Sequence, residues 1–286
     1  MFQGIYGILV EQGLAIPGSN VYAPKEMVPA EQLSLVHEVA YLKRFLDGTL
    51  DPVQTRRIGF GSAISCPKLI GRTQAEIAGT LLTAELALKH GLAVSTAGGT
   101  HHAFRAAGSG FCILNDLAVT SEILLQRGQV DRVLILDLDV HQGDGTAAIF
   151  QDRRDVFTLS VHAAQNFPSR KQHSHLDIAL PDGTEDETYL KVVSESLAKV
   201  LQSFKPSLVL YDAGVDTHKD DELGRLALTD QGIVRRERLV FDTCLGHDVP
   251  VAAVVGGGYS QDLNELARRH CFMHRAAFDM WNLYKL

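Results

Sequence analysis

The sequence is poor in cysteine, nearly balanced in charge and free of long hydrophobic runs, and each of these features excludes a class of protein. Its four cysteines are scattered without CxxC spacing, which argues against a disulfide framework or a cysteine-ligated zinc site and for a reducing compartment. No apolar run approaches the ~18–20 residues that cross a bilayer. Residues 1–4 lack the basic segment and apolar core of a secretion signal. We therefore expect a cytoplasmic or other intracellular protein outside the membrane.

The charge of the chain gives little indication of a partner. It has 34 acidic residues against 27 lysines and arginines, a formal net charge of −7. The sequence therefore lacks the basic surface that binds a nucleic-acid backbone. A basic peptide or an amine substrate would suit this sign, but a charge this small is weak support for one.

Strands and helices alternate along most of the chain, which predicts an α/β fold with one parallel sheet and helices on both faces. With 286 residues, 45% of them hydrophobic, the chain is long enough to bury one large core as a single domain. The predicted helices are 32–47, 73–90, 114–126, 186–204, 229–246 and 262–284. The predicted strands are 92–97, one that begins at Val133, 156–162, 206–211 and 249–255. Residues 1–30 and 51–71 are predicted to lack long elements.

Residues 133–145 form the stretch around which the chain is organised. The stretch begins with aliphatic residues typical of a strand buried on both faces of a parallel sheet. Because side chains alternate along a strand, Asp137, Asp139 and His141 are predicted to share one side of it. Burying three such groups is costly unless a bound cation compensates them. The alternative is a strand end whose acids cap the next helix or pair with nearby bases.

Polar residues follow the other predicted strands as well. His101 and His102 follow strand 92–97, His162 closes the next strand after the central one, Asp216 follows strand 206–211, and Tyr259 follows the last strand. In open parallel sheets, ligands bind beyond the carboxyl ends of the strands. The positions of these residues therefore predict one site at that edge of the sheet.

Asp139, His141 and Asp216 together make a set of three oxygen and nitrogen ligands with room for water. This is the composition of a catalytic zinc site, although Fe(II), Mn(II) or Co(II) accept the same ligands. Two carboxylates and a neutral imidazole neutralise a divalent ion, so the bound water is acidified less than in a three-histidine site. A separate general base is then required.

The adjacent histidines and a tyrosine can supply the remaining chemistry. His101 and His102 can act as acid and base, with Asp137 and Asp144 as carboxylate partners that fix the tautomers; the alternative for such a pair is packing or surface exposure. Tyr259 follows three glycines that allow the backbone to approach a ligand closely. Its phenol could share an oxyanion with the metal, or it could simply pack in a turn. A phosphate-binding loop is excluded because no Lys-Ser/Thr follows the glycines.

Five ordered motifs together resemble the histone deacetylase superfamily, zinc-dependent amidohydrolases with the arginase–deacetylase fold. The resemblance runs from about Leu33 to the carboxyl terminus. Its motifs are 99–103 (GTHHA), 108–116 (GSGFCILND), 137–145 (DLDVHQGDG), 212–220 and 256–259 (GGGY). Gln142, where most of the family has a second histidine, is similar to class IV and related bacterial members.

The resemblance implies a role for each residue of the site. One Zn²⁺ per chain would be bound by three ligands, namely Asp139, His141 and Asp216. His102, backed by Asp144, would be the general base, and His101, backed by Asp137, would be the electrostatic or acid partner. Tyr259 would polarise the substrate carbonyl.

The resemblance also implies substrate contacts and a second cation. Gly110, Phe111, Phe167 and Gly257 would contact the substrate, and the two phenylalanines would wall a narrow channel for an acyl-lysine stem. Plain core aromatics are the alternative for both, and for Phe167 the two interpretations are equally supported. The side chain of Asp137, with backbone carbonyls near His141, Ser160 and Val161, resembles the potassium site of the family.

The sequence departs from its relatives at three places. Where arginases have the carboxylates that bridge a second manganese, this chain has Gly143 and Gly214, which favours a single metal. The usual first strand and His-Pro loop of the family are missing, so we expect a single catalytic domain without the first N-terminal strand of the family. Residues 59–71 contain no Asp or Glu, whereas many members place a substrate-gripping acid on such a rim loop.

These observations predict a zinc-dependent amide hydrolase that removes an acyl group, acetyl or longer, from lysine side chains of proteins. An acetylpolyamine or other small-amide hydrolase is the enzymatic alternative. A catalytically weak module that binds acyl groups or partner proteins is the alternative from another class. The sequence gives no indication of oligomeric state.

Overall fold

A six-stranded sheet, parallel throughout, is the centre of the fold, and the predicted α/β class is confirmed. The computed structural model describes all residues 1–286. The strand order is β1-β6-β5-β2-β3-β4. The strands are β1 (Leu92–Val94), β2 (Val133–Asp137), β3 (Val156–Ala163), β4 (Leu176–Leu180), β5 (Leu208–Asp212) and β6 (Val251–Val254).

Helices cover both faces of the sheet. They are α1 (Phe2–Glu11), α2 (Ala30–Leu33), α3 (Val39–Leu46), α4 (Pro52–Ile58), α5 (Pro67–His90), α6 (Asp116–Gln126), α7 (Asp144–Phe150), α8 (Asp186–Phe204), α9 (Asp230–Leu245) and α10 (Leu263–Tyr284). A short 3-10 helix, Gly61–Ser65, lies between α4 and α5. None of the helices combines the length and the hydrophobicity required to span a bilayer.

Strand β2 shows how the sheet divides the interior into two cores. All five of its residues are buried. Leu134 and Leu136 belong to a core of 38 buried residues that includes side chains of α8, α9 and α10. Val133 and Ile135 belong to a core of 30 buried residues that includes side chains of α3, α5 and α6. The alternation of side chains along the strand therefore supplies both cores.

The predicted helix 32–47 is wrong, because the chain is interrupted at His37 between α2 and α3. His37 is buried, and its Nδ1 lies 3.0 Å from the carbonyl oxygen of Phe104. Its Nε2 accepts a hydrogen bond from the backbone N–H of Asn115 at 2.9 Å. The break thus inserts an imidazole between two backbone groups of the loop that precedes α6.

The two segments predicted to lack long elements contain short helices. Helix α1 packs against α10 and buries Ile5 and Leu9, four residues apart on one face. Helix α4 is capped by Asp51, whose carboxylate accepts hydrogen bonds from two backbone N–H groups at 2.9 Å, with a proline in the first turn. No strand precedes β1 in the chain, and β4 is an edge strand that the sequence analysis did not predict.

Candidate active site

The carboxyl ends of four adjacent strands, β1, β6, β5 and β2, bring the candidate residues together. Asp137 and Asp212 are the last residues of β2 and β5 and lie opposite each other in register. Asp139 and His141 follow β2, Asp216 follows β5, the adjacent histidines follow β1, and Tyr259 follows β6. Parallel strands end at the same edge of the sheet, so residues distant in sequence converge there.

The prediction that Asp137, Asp139 and His141 share one strand face is wrong. Strand β2 ends at Asp137. The backbone N–H of Asp139 donates to Asp137 Oδ1 at 3.2 Å, and that of His141 donates to Asp139 Oδ1 at 2.8 Å. These short-range hydrogen bonds turn the chain out of the strand. Asp137 therefore lies in one group of metal-competent residues, and the other two lie in a second group.

The second group consists of Asp139, His141 and Asp216. Its potential ligand atoms all lie within 4.8 Å of one another. His141 Nδ1 is 3.0 Å from Asp139 Oδ1 and 3.1 Å from Asp216 Oδ2. Atoms bonded to one tetrahedral zinc at about 2.0–2.1 Å are separated by about 3.3 Å. The donor set and its spacing therefore fit a single small divalent cation.

Neighbouring backbone holds the two carboxylates in place. Asp139 Oδ2 accepts a hydrogen bond from the N–H of Gly257 at 2.8 Å, and Asp216 Oδ1 accepts one from the N–H of Val140 at 2.8 Å. A Cβ atom added to Gly257 would clash with the carboxylates of both aspartates. The glycine after β6 is therefore required for its backbone to approach the two acids.

The protein groups alone leave this site with too much buried negative charge. Burial, and then the nearby Asp139, raise the pKa of Asp216 to about 7. Burial opposes protonation of His141, but hydrogen bonds to Asp139 and Asp216 outweigh it and raise the imidazole pKa to about 10. A bound divalent ion would compensate both carboxylates and leave the imidazole neutral.

His101 and His102 are each paired with a different carboxylate. His101 Nδ1 lies 2.8 Å from Asp137 Oδ2, and His102 Nδ1 lies 2.6 Å from Asp144 Oδ1. The two imidazole rings are 4.0 Å apart, centre to centre. Both histidines are buried, which excludes surface exposure, and their carboxylate partners orient the imidazoles beside the potential cation ligands Asp139 and His141.

The two histidines have opposite proton affinities. Burial, followed by the neighbouring His101, lowers the pKa of His102 to about 4. Burial also opposes the charge on His101, but the carboxylates of Asp137 and Asp139 outweigh it and hold its pKa well above the ordinary value. With the protein groups alone, His102 is neutral and can accept a proton, whereas His101 carries one.

Asp212 is a residue of this site that the sequence analysis did not single out. Its side chain is fully buried, and neither carboxylate oxygen has a hydrogen-bond partner. Asp212 Oδ2 lies 3.8 Å from His101 Nδ1. Together with His101 and Asp137, Asp212 forms the other group of residues that could hold a cation. The sequence signal that could have identified Asp212 is its position at the end of a hydrophobic strand, which it shares with Asp137.

Tyr259 faces the same site. Its ring centre lies 6.1 Å from that of His141 and 6.2 Å from that of Phe111. Its backbone N–H donates to Asp221 Oδ2 at 2.7 Å. Burial, followed by the nearby Asp139 and Asp216, raises the pKa of the phenol well above its usual range. The hydroxyl therefore remains protonated and able to donate a hydrogen bond.

Phe111 and Phe167 line a cavity and are not core residues. Phe111 is 47% exposed and Phe167 is 43% exposed. Both line a cavity of about 750 Å³ at the mouth of the site, which we call the outer cavity. The ring of Phe167 stands edge-on to His102 at 4.9 Å between centres. Phe111 is held by a hydrogen bond from its N–H to the carbonyl of Ile58 at 2.8 Å and has a positive φ of 63°.

A second, smaller cavity of about 240 Å³, which we call the inner cavity, adjoins the outer cavity. It is lined by His101, His102, Tyr259 and Asp139, together with both glycines expected to contact the substrate, Gly110 and Gly257. Phe60, which the sequence analysis did not select, lines it as well and packs against Phe111 at 5.8 Å between ring centres. The two cavities share Gly110 and Phe111.

The residues expected to bind potassium also lie near one another. Asp137 and Ser160 are register partners on adjacent strands β2 and β3. Ser160 Oγ lies 3.0 Å from His162 Nδ1. Burial lowers the pKa of His162 to about 4, so this imidazole is neutral and adds no positive charge beside a cation.

Comparison with known proteins shows what this chain resembles. The family model described as "Histone deacetylase domain" matches residues 3–274. An uncharacterized protein of Picosynechococcus sp. is 51% identical over 280 residues, which is 98% of this chain and 92% of the relative. Histone deacetylase 8 of Xenopus tropicalis is 30% identical over 273 residues, 89% of this chain and 70% of the relative.

A probable deacetylase of Archaeoglobus fulgidus is 36% identical over 171 residues, 56% of this chain. That alignment covers 47% of the archaeal protein, so it spans about half the length of the relative.

Proposed function

The chain belongs to the histone deacetylase family, and on this premise we propose that it is a zinc-dependent amide hydrolase that removes an acyl group, acetyl or longer, from lysine side chains of proteins. Family membership supports a deacetylase function, hence a hydrolase acting on amides with acetylated substrates. The convergence of Asp139, His141 and Asp216 beside two oriented histidines is the observation that carries the proposal. We also propose that residues 1–286 form one catalytic domain.

In this proposal, Asp139, His141 and Asp216 hold the metal. When bound, zinc would polarise the substrate carbonyl and lower the pKa of a water molecule. The zero net charge of two carboxylates, one neutral imidazole and a divalent ion leaves part of the acid–base work to the protein. Zinc is preferred for its match to this ligand set, although the same donors accept other divalent metals.

The protein residues then divide the proton transfers among themselves. His102 accepts a proton from the attacking water at Nε2, because Asp144 holds the proton on Nδ1. His101, whose Nδ1 lies 2.8 Å from Asp137 Oδ2, is the electrostatic or acid partner and stabilises the developing negative charge. The hydroxyl of Tyr259 donates a hydrogen bond to the oxyanion. A histidine finally protonates the leaving amine.

The two cavities suit the two halves of such a substrate. Phe111 and Phe167 would contact the methylene stem of the lysine, and Gly110 lets the chain approach it closely. The inner cavity, lined by Phe60 and Tyr259, would take the acyl group. We further propose that potassium binds near Asp137 and Ser160, where it would offset part of the negative charge behind His101.

The experiment that tests this function combines metal analysis with a substrate panel. The panel contains acetyl-lysine peptides, long-chain acyl-lysine peptides and acetylpolyamines, each assayed with added zinc. The proposal predicts hydrolysis of acyl-lysine peptides by a protein that holds one zinc. Preference for acetylpolyamines would favour a small-amide hydrolase instead. No hydrolysis of any amide by the zinc-loaded protein would favour the acyl-binding module.

A further inference from the structure

Two arginines without partners line the outer cavity. Arg57, in the last turn of α4, and Arg170, in the loop after Phe167, are both exposed and both border the cavity of about 750 Å³. Neither guanidinium forms a salt bridge or a hydrogen bond, although most other arginines of the chain do. Their charges are therefore available to a molecule in the mouth.

Arg57 is held beside the channel wall by its surroundings. Its guanidinium carbon lies 4.8 Å above the ring of Phe104, a cation–π contact that orients the side chain. Its carbonyl accepts a hydrogen bond from the N–H of Gly110 at 3.3 Å, and the next carbonyl, that of Ile58, accepts one from Phe111. The end of α4 is thus joined to the backbone that forms one wall of the channel.

The loop that carries Arg170 is also fixed. The ammonium of Lys171 donates to the carbonyls of Asn166 and Pro168, at 2.5 and 2.8 Å. Asn166 in turn donates from its side chain to the carbonyl of Leu223 at 2.8 Å. The neighbouring lysine therefore folds the loop internally and leaves Arg170 as the free charge of this segment.

The acids near the mouth are engaged elsewhere. Asp144 is the acidic residue among the residues that line the outer cavity, and it is buried against His102. On the Tyr259 side, the Asp221 carboxylate accepts three backbone N–H groups, and Glu222 accepts the N–H of Gln261. Two guanidinium groups and one carboxylate line the outer cavity, so the net charge of its lining is positive, opposite to the net charge of the chain.

We propose that this mouth, lined by Arg57 and Arg170, is an anion-binding subsite that selects acyl-lysine peptides with acidic neighbours. The inference rests on the proposed function and names its substrate class. An extended peptide whose acyl-lysine enters between Phe111 and Phe167 places its flanking side chains over the outer cavity. Carboxylate and phosphate groups both suit unpaired guanidinium groups, whereas the cationic tail of an acylpolyamine would be repelled.

The test compares peptides that differ only beside the acyl-lysine. Four peptides carry Glu, phosphoserine, Gln or Lys as flanking residues and are assayed at low and high salt. For two exposed charge pairs we expect kcat/KM for the Glu peptide to exceed that for the Gln peptide by about three- to tenfold, mainly through KM. The Lys peptide should be the poorest, and high salt should reduce the differences. The ratio of kcat/KM for the phosphoserine peptide to kcat/KM for the Glu peptide distinguishes recognition of phosphate from recognition of carboxylate.

The variants assign the preference to the two arginines. The double substitution Arg57→Gln with Arg170→Gln should bring the ratio of kcat/KM for the Glu peptide to kcat/KM for the Gln peptide close to one. Arg154→Gln is the matched control. Arg154 is exposed and lies just before β3, at the amino ends of the strands, whereas the site lies at their carboxyl ends. A melting curve of each variant confirms that the exposed substitutions do not disturb the fold.

Two outcomes would overturn the subsite. Equal kcat/KM for the Glu and Gln peptides in the unmodified enzyme would contradict it, as would a preference that survives the double substitution. Absence of hydrolysis on every peptide would contradict the proposed function instead. In that case fluorescence anisotropy of the same labelled peptides decides the subsite, because acidic peptides must bind several times more tightly than neutral ones, and only with both arginines present.

Discussion

Nδ1 of His102 lies 2.6 Å from Oδ1 of Asp144, and both side chains are buried. Asp144 begins helix α7, directly after the loop that carries Asp139 and His141. One short segment therefore supplies two of the proposed cation ligands and the partner of the proposed general base. The position of that base relative to these two ligands is set by the backbone of residues 139–144.

Replacing Asp144 by Asn should impair proton transfer and spare metal binding. An amide can stabilise the other tautomer of His102 and does not support its positive charge. We expect kcat/KM to fall by about 100-fold with the zinc content unchanged. Asp152→Asn, an exposed aspartate after the same helix, is the control. Activity within twofold of the unmodified enzyme would remove Asp144 from the proton path.

Tyr259→Phe should lose most turnover and retain the metal. The substitution removes one hydroxyl donor to the oxyanion, and loss of such a donor costs about 10²–10³ in kcat. The measurement is kcat together with zinc content, and Tyr22→Phe, at an exposed tyrosine, serves as the control. Unchanged turnover would exclude the phenol from the mechanism.

Asp212→Asn should stabilise the metal-free protein. Burial and the neighbouring Asp137 hold the pKa of Asp212 well above its ordinary value, so the folded state binds a proton that the unfolded state releases. That contribution to stability is present at low pH and is lost as pH rises through the folded-state pKa. The substitution should therefore add about 1–3 kcal/mol to the free energy of unfolding at pH 8 and less at pH 5.

Urea unfolding at both pH values, in chelator and without potassium, measures this difference. A loss of stability on Asp212→Asn under these conditions would contradict the assignment of Asp212 as an uncompensated buried acid. A loss that appears only when potassium or zinc is added would place a cation beside Asp212 instead.

Removal of zinc should lower the melting temperature. Binding at a thousandfold excess over Kd stabilises the folded state by about 4 kcal/mol, which corresponds to a shift on the order of 10 °C for a domain of this size. Asp216→Ala removes a ligand and should abolish the response to zinc. A zinc-dependent shift of the same size in that variant would show that zinc binds elsewhere.

The parts of the molecule that could be predicted from the sequence are those indicated by residues close together in the chain. Helix α8 occupies the residues expected from its apolar periodicity, 186–204. The site residues could be selected because acids and imidazoles stand at the ends of apolar strands. Their mutual approach followed from one property of parallel sheets, that the strands end at a common edge.

The features that the sequence did not reveal depend on contacts between distant residues. His37 interrupts a periodic helix because it bonds to Phe104 and Asn115, which are 67 and 78 positions away. Helix α1 is stabilised by packing on α10, at the other end of the chain. The unpaired state of Arg57 and Arg170 becomes visible only when the positions of the acids around the mouth are known.

Anomalous diffraction at the zinc absorption edge, on crystals of the zinc-loaded protein, shows which residues bind the metal. We expect one peak per chain, within bonding distance of Asp139, His141 and Asp216. A peak among His101, Asp137 and Asp212, or no peak at either group, would contradict this expectation.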